Sequence, residues 1–138
     1  MRERSIGASA ICLVLIIALA LGGCSSVSEK GLSEQIFEQR IQEKLDNITN
    51  PKDRNVSLSS NPYDYIAASN EDYKYIVSQA KKSFIYMTNK FANSDTNGLE
   101  EYIMAIACSE ILNEEADSKN WSSGREWYEN YVKLNNNN

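Results

Sequence analysis

The sequence predicts an all-α protein: a small irregular bundle of about 4–6 short helices, preceded by a signal peptide, with HEAT-like pairs as one arrangement of the helices. Three observations predict this fold class. Apolar residues recur at helical spacing through most of residues 32–134. Residues typical of helix caps, such as Asn61-Pro62, precede these apolar segments. No alternating apolar run is long enough to favour a β-strand instead.

Residues 1–23 have the properties of a secretory signal peptide. Arg2 and Arg4 precede the segment from Ile6 to Leu21, which carries no charge. A signal peptide needs an apolar stretch of about 7–15 residues ending in small residues, whereas a membrane-spanning helix needs about 20. The small residues Gly22 and Gly23 end this one. The alternative interpretation is an uncleaved membrane anchor, which would leave the rest of the chain on the same side of the membrane.

The segment Leu21-Gly22-Gly23-Cys24 resembles the lipobox of bacterial lipoproteins. The resemblance implies cleavage before Cys24 and attachment of lipid, palmitate among the acyl chains, to its sulfur and amino group. It also implies a lipid-anchored protein on the extracytoplasmic face of the cell membrane. The membrane is therefore one expected partner, reached through the lipid on Cys24.

Residues 24–60 predict one helix between two polar segments. Residues 24–31 are interpreted as a tether, residues 32–48 as an amphipathic helix capped by Ser33, and residues 49–60 as a linker containing Pro51. The apolar residues of the predicted helix are Ile36, Phe37, Ile41, Leu45 and Ile48. The pattern leaves open whether this helix stands as a stalk or docks on the rest of the chain.

Residues 61–134 predict the main helical domain, and residues 135–138 a disordered tail. Residues 81–83 are either a break between helices or a turn within a longer one. The segment from Ile103 to Cys108 is apolar on all sides and therefore predicts the central helix. Cap patterns mark four helix starts: Asn61-Pro62, Ser69 with Asp72, Asn97 with Glu100, and Ser123 with Glu126.

Charge and composition exclude several functions. The net charge of −5 argues against nucleic-acid binding, which needs a basic surface. The chain has no histidine, which removes Ser-His-Asp and Cys-His catalysis and most zinc sites. With Cys12 removed and Cys24 lipidated, Cys108 is left alone and is expected to be a buried apolar residue. We therefore expect no catalytic residue, no metal and no cofactor.

Tyrosine and tryptophan are the best candidates for binding residues. The chain has 8 Tyr and 2 Trp but only 3 Phe, and Tyr and Trp are enriched in binding hot spots. Tyr63 and Tyr65 are two positions apart, and so are Tyr73 and Tyr75. Residues at this spacing cannot share one face of a helix, so one member of each pair is expected in the core and the other at a rim. The candidates are Tyr63, Tyr65, Tyr73, Tyr75, Trp121 and Trp127.

An acidic cluster is the second candidate feature. It consists of Glu110, Glu114, Glu115 and Asp117. Paired carboxylates can act as a general acid and base, and an acidic surface can also bind a cationic partner. The simpler interpretation is a solvated loop at a helix end.

Three stretches resemble a helical domain of uncharacterised lipoproteins and secreted proteins of Gram-positive bacteria: residues 61–66, 101–107 and 121–127. The resemblance implies an architecture and no activity. We predict a non-enzymatic binding or interaction module anchored to the membrane, whose partner is an unknown protein or a component of the cell envelope. The alternatives are a cell-envelope hydrolase that uses carboxylates and an accessory subunit of a transporter or sensor.

Overall fold

The computed structural model describes residues 25–114 and 121–136. These residues form seven α-helices and contain no β-strand: α1 (Ser25–Thr49), α2 (Arg54–Ser57), α3 (Pro62–Ala68), α4 (Asn70–Ser78), α5 (Lys81–Ala92), α6 (Leu99–Ile111) and α7 (Gly124–Asn136). The predicted all-α class is confirmed, with more helices than the sequence indicated. The chain divides into two compact units, residues 1–35 and residues 36–138. The predicted signal peptide and Cys24 lie outside the described residues.

The first helix begins earlier than predicted. Residues 25–31, expected to form a tether, are part of α1. They contain no proline, and a helix that has formed over the following turns extends through such a segment at little cost. Ser33, the expected N-cap, therefore lies inside α1, where its hydroxyl donates a hydrogen bond to the backbone oxygen of Lys30 at 2.9 Å.

The predicted linker 49–60 contains a short helix of its own. Asp53 caps α2 by accepting a hydrogen bond from the backbone amide of Asn55 at 2.8 Å. The Tyr65 hydroxyl of α3 donates to the backbone oxygens of Ser57 and Ser59 at 3.0 and 3.1 Å. These bonds attach the segment to α3. The predicted tail is likewise helical through Asn136.

Helix α6 is the centre of the core, as the sequence predicts. Its residues 103–105, 107 and 108 are fully buried, and Ile106 is nearly so. It packs against α3, α4, α5 and α7. Helices that follow one another in the sequence also pack together: α2 contacts α3, and α3 contacts α4. A helix surrounded in this way needs apolar side chains on every face.

Residues 36–49 of α1 dock on this core. Ile41, Leu45 and Ile48 are fully buried in it, at the spacing that places them on one helix face. Polar contacts flank this apolar contact: Lys44 pairs with Asp72 at 2.7 Å, and the Tyr86 hydroxyl donates to Oε1 of Gln42 at 2.7 Å. This half of α1 is therefore part of the bundle and does not form a stalk.

Two of the four predicted helix caps are formed as expected. Asn61 accepts a hydrogen bond from the backbone amide of Tyr63 at 3.2 Å, and Ser123 accepts one from that of Glu126 at 3.2 Å. Pro62 occupies the first turn of α3, where its missing amide hydrogen costs nothing.

The other two caps differ from the prediction. Helix α6 begins one residue later than expected, with Gly98 as the N-cap and Glu101 accepting from the Gly98 amide at 2.8 Å. The carboxylate of Glu100 is engaged elsewhere, by Lys90. Ser69 stands before α4 but accepts no capping bond, and its hydroxyl donates to the backbone oxygen of Asn47.

Helices α4 and α5 are separate. The break falls at Ala80, whose backbone has φ 46° and ψ −120°. A residue with a side chain rarely adopts this conformation, and it cannot continue a helix. The sequence left residues 81–83 as either a break between helices or a turn within a longer one. The structure shows two helices, and Lys81 is the first residue of the second, α5.

Candidate functional site

The six aromatic residues predicted to bind a partner are divided between the core and the surface. In each tyrosine pair one member is buried, Tyr65 and Tyr73 being 6% and 7% exposed. The other members, Tyr63 and Tyr75, are more accessible, and Tyr63 is 40% exposed. The structure thus shows the expected division of each pair.

The tryptophans and Tyr75 are held by neighbouring side chains. Trp127 is 3% exposed and its ring stacks on Tyr131, with centroids 5.6 Å apart, so it is a core residue and not an accessible binding residue. Trp121 is half-buried and its ring lies 5.0 Å from that of Tyr102. The ammonium of Lys44 lies 5.9 Å from the ring centroid of Tyr75.

Tyr63 and Tyr73 line one concave site, which we call the tyrosine cavity. Its volume is about 440 Å³, within the range typical of small-molecule sites. Helix α3 contributes two lining residues, α4 one and α6 two, and the last follows α6. The lining residues are Tyr63, Ile66, Tyr73, Ile106, Glu110 and Glu114.

Helical spacing explains why α3 and α6 present these side chains together. Tyr63 and Ile66 are three residues apart and share one face of α3. Ile106 and Glu110 are four residues apart and share one face of α6. Helices α3 and α6 pack against each other, so the two faces meet at the cavity.

The end of α6 positions Glu114. Asn113 adopts the left-handed conformation, with φ 57°. Its amide donates to the backbone oxygen of Glu110 at 3.0 Å, and the Glu114 amide donates to that of Ser109 at 2.9 Å. These are the two bonds of a Schellman motif, in which asparagine replaces the more usual glycine. The motif turns the chain back so that Glu114 lines the same cavity as Glu110.

Glu110 is held in place by Tyr73. The Tyr73 hydroxyl donates to Oε2 of Glu110 at 2.7 Å. Burial, and then this hydrogen bond to a carboxylate, raise the pKa of Tyr73 far above its ordinary value. The hydroxyl therefore remains a donor at all physiological pH values. In the part of the chain that the structure describes, neither Glu110 nor Glu114 forms a salt bridge with a lysine or arginine.

Tyr65 lines a different cavity, of about 500 Å³, together with Tyr102 and several serines. The N-termini of α6 and α7 border this second cavity. Helix N-termini attract anions, but acidic side chains already occupy both of these. Glu101 accepts from the amide of Gly98, and Glu126 accepts from the amide and hydroxyl of Ser122 at 2.7 Å.

The remaining candidates for chemistry are the cysteine and the acidic residues. Cys108 is buried, as predicted, and burial raises the pKa of its thiol well above the ordinary value. Within residues 25–114 and 121–136, no group of three or more acidic, cysteine or histidine side chains could hold a metal ion.

The described helices include none with the length and apolar character needed to cross a membrane. Glu115 and Asp117 of the predicted acidic cluster lie outside the described residues.

Comparison with protein-family models, curated proteins and solved structures finds no match to this chain. Of the residues named from the sequence, Tyr63, Tyr73, Glu110 and Glu114 line the tyrosine cavity. Ile66 and Ile106 also line it and were not named as candidates. The available signal was their helical spacing from Tyr63 and Glu110.

Proposed function

We propose that this chain is a lipoprotein that acts as a small binding module on the outer face of the cell membrane. The tyrosine cavity is its binding site, and lipid on Cys24 is its anchor. The observation that carries the proposal is the cavity, because it combines apolar walls with two acidic groups, one of them oriented by a hydrogen bond from Tyr73. Binding sites for small ligands have this composition.

The cavity has the two properties that binding requires. Ile66, Ile106 and the two tyrosine rings supply apolar surface that a ligand can cover. Glu110, oriented by the Tyr73 hydroxyl, supplies a polar group of fixed position that can select among apolar ligands.

The anchor follows from the sequence ahead of α1. Leu21-Gly22-Gly23-Cys24 lies behind the charge-free segment, and α1 begins at the next residue, Ser25. Each buried methylene of an acyl chain contributes about 0.8 kcal/mol, and a single chain binds a membrane only marginally. Two or three chains on one cysteine, as the lipobox resemblance implies, would hold the protein permanently.

Metabolic labelling tests the anchor. Cells that express the full chain are grown with an alkyne analogue of palmitate, and the label is measured after membrane fractionation. We expect the wild-type protein and a Cys108→Ala control to be labelled and membrane-bound, because Cys108 is buried. The Cys24→Ser variant should carry no label. Label that persists in Cys24→Ser would contradict lipidation at this residue. A membrane-bound wild-type protein without label would favour the uncleaved anchor.

A further inference from the structure

We infer that the tyrosine cavity selects a small organic cation, a protonated amine on a short hydrocarbon chain. The inference deepens the proposed function, because it assumes that the cavity is a binding site and adds the chemical class of the ligand. It depends on the charges that line the cavity, on the end of α6 and on the apolar walls.

The charged groups known to line the cavity all have the same sign. Among the described residues, 25–114 and 121–136, Glu110 and Glu114 are its ionisable carboxylates, and no lysine or arginine lines it. Both carboxylates are exposed to solvent, so each attracts a cation only modestly, and the two attractions act in the same direction. An anionic ligand would be repelled by both groups.

The position of both carboxylates at the end of α6 increases the negative potential. Glu110 belongs to the last turn of α6, and Glu114 follows the helix by three residues. The C-terminus of a helix carries a partial negative charge, so carboxylates there are unfavourable and cations are favourable. The residue that caps this end of α6 is Asn113, in the Schellman motif, and its side chain carries no positive charge. A bound cation would relieve repulsion that α6 otherwise retains.

The remaining walls suit the hydrocarbon part of such a ligand. Ile66 and Ile106 can cover an alkyl chain, while the aromatic face of Tyr63 or Tyr73 can also attract the ammonium. The Tyr73 hydroxyl donates a hydrogen bond to Oε2 of Glu110. Oε1 of the same carboxylate is the atom that would accept a hydrogen bond from the ammonium.

The test compares three probes of equal length and different charge on the full chain in neutral detergent micelles. The probes are n-butylammonium, 1-butanol and butanoate, and binding is followed through the amide NMR signals of Ile66, Glu110 and Glu114. We expect butylammonium to bind more tightly than butanol, and butanoate not to bind. Because micelles take up different shares of the three probes, each affinity is calculated from the probe concentration that remains free in the aqueous phase.

Substitutions identify the groups responsible. Glu110→Gln and Glu114→Gln should each weaken butylammonium binding by about 2- to 5-fold, the range for solvent-accessible ion pairs, and leave butanol binding unchanged. Glu129→Gln removes the same charge from an exposed position on α7 and should change neither. The glutamine variants keep the shape of the side chain, including an oxygen that can accept from Tyr73.

The possible failures are distinguishable. Equal affinity for butylammonium and butanol, or binding that neither glutamine variant weakens, would overturn the cation inference and leave the cavity as a binding site. Absence of any shift with all three probes would overturn both the inference and the binding role. Neither result depends on whether Cys24 carries lipid, which the labelling experiment decides separately.

Discussion

Gly124 is the residue at which a single added carbon atom would be most disruptive. It is buried at the start of α7, against the backbone of α6. A Cβ placed on it would lie 2.2 Å from the backbone oxygen of Glu101 and 2.3 Å from the backbone carbon. Backbone atoms cannot move aside as the end of a flexible side chain can. Glycine is therefore required here by the close approach of two helices.

We predict that Gly124→Ala lowers the free energy of unfolding by about 2 kcal/mol, because overpacking against a backbone forces α7 away from α6. Gly31→Ala is the control, since a Cβ at this position in α1 meets nothing within 4 Å. The control should leave the free energy of unfolding unchanged or raise it, by at most about 1 kcal/mol, because alanine favours a helix over glycine. Urea unfolding followed by circular dichroism measures both. Equal effects would contradict the close-approach argument.

For the tyrosines, the sequence predicted that neighbouring side chains point in different directions but not which cavity each one lines. Alternation along a helix predicted that Tyr63 and Tyr65 point in different directions, and they line different cavities. The same rule could not show which cavity each one faces, because that depends on the packing of α3 against α6. Trp127 could not be assigned to the core from its neighbours in the sequence, since its ring also contacts that of Phe91, from a distant part of the sequence.

At the scale of elements, the N-terminus of α6 depends on one carboxylate. Glu101 is 7% exposed and accepts hydrogen bonds from the Gly98 amide and the Thr96 hydroxyl. Burial alone would raise the pKa of Glu101. Hydrogen bonds from Thr96 and from the backbone amides of Glu101 and Gly98 outweigh burial and leave the pKa below its ordinary value of 4.5. The charged form is therefore the one that the fold stabilises.

Glu101→Gln should lower the free energy of unfolding by about 1 kcal/mol at neutral pH, the usual cost of weakening an N-terminal cap. A carboxylate whose pKa is lowered by folding adds stability above its unfolded pKa and loses it as the pH falls through its folded pKa. The difference from wild type should therefore shrink as the pH falls below 4.5. Glu129→Gln, at an exposed position, should differ little from wild type at either pH. A constant Glu101→Gln difference down to about pH 3 would show that shape, not charge, is responsible.

The predicted elements agree with the structure where local signals dominate and differ where distant contacts decide. Asn61-Pro62 and Ser123 fix their helix starts through neighbouring amides, and both starts were predicted. The start of α6 moved by one residue because Lys90 engages Glu100, a pairing that local spacing cannot reveal. Residues 54–57 were assigned to a linker because a helix of one turn has too few residues to show a period.

At the scale of the whole molecule, the contacts of α1 determine where the folded domain begins. The sequence left open whether residues 32–48 dock on the bundle, because an amphipathic pattern indicates a buried face without identifying what covers it. Residues 41, 45 and 48 supply three fully buried side chains to the core. Gln42 adds a polar link, as its Oε1 accepts from Tyr86 and Lys90 of α5. The folded unit therefore begins within α1, ahead of the domain start predicted at Asn61.

Truncating a buried leucine of α1 tests this conclusion. Leu45 is fully buried, so Leu45→Ala should lower the free energy of unfolding of the whole bundle by about 3 kcal/mol, through lost apolar contact and the cavity left behind. Leu32→Ala makes the same change in the same helix at a residue that is 58% exposed, and it should cost less than about 0.5 kcal/mol. Urea unfolding is monitored by tryptophan fluorescence with Trp121→Phe in every variant, so that the signal comes from Trp127, which reports on the core between α5 and α7. A small effect of Leu45→Ala would mean that α1 adds little to the core. A large one, transmitted to Trp127 in α7, would show that α1 and the C-terminal helix unfold as one cooperative unit.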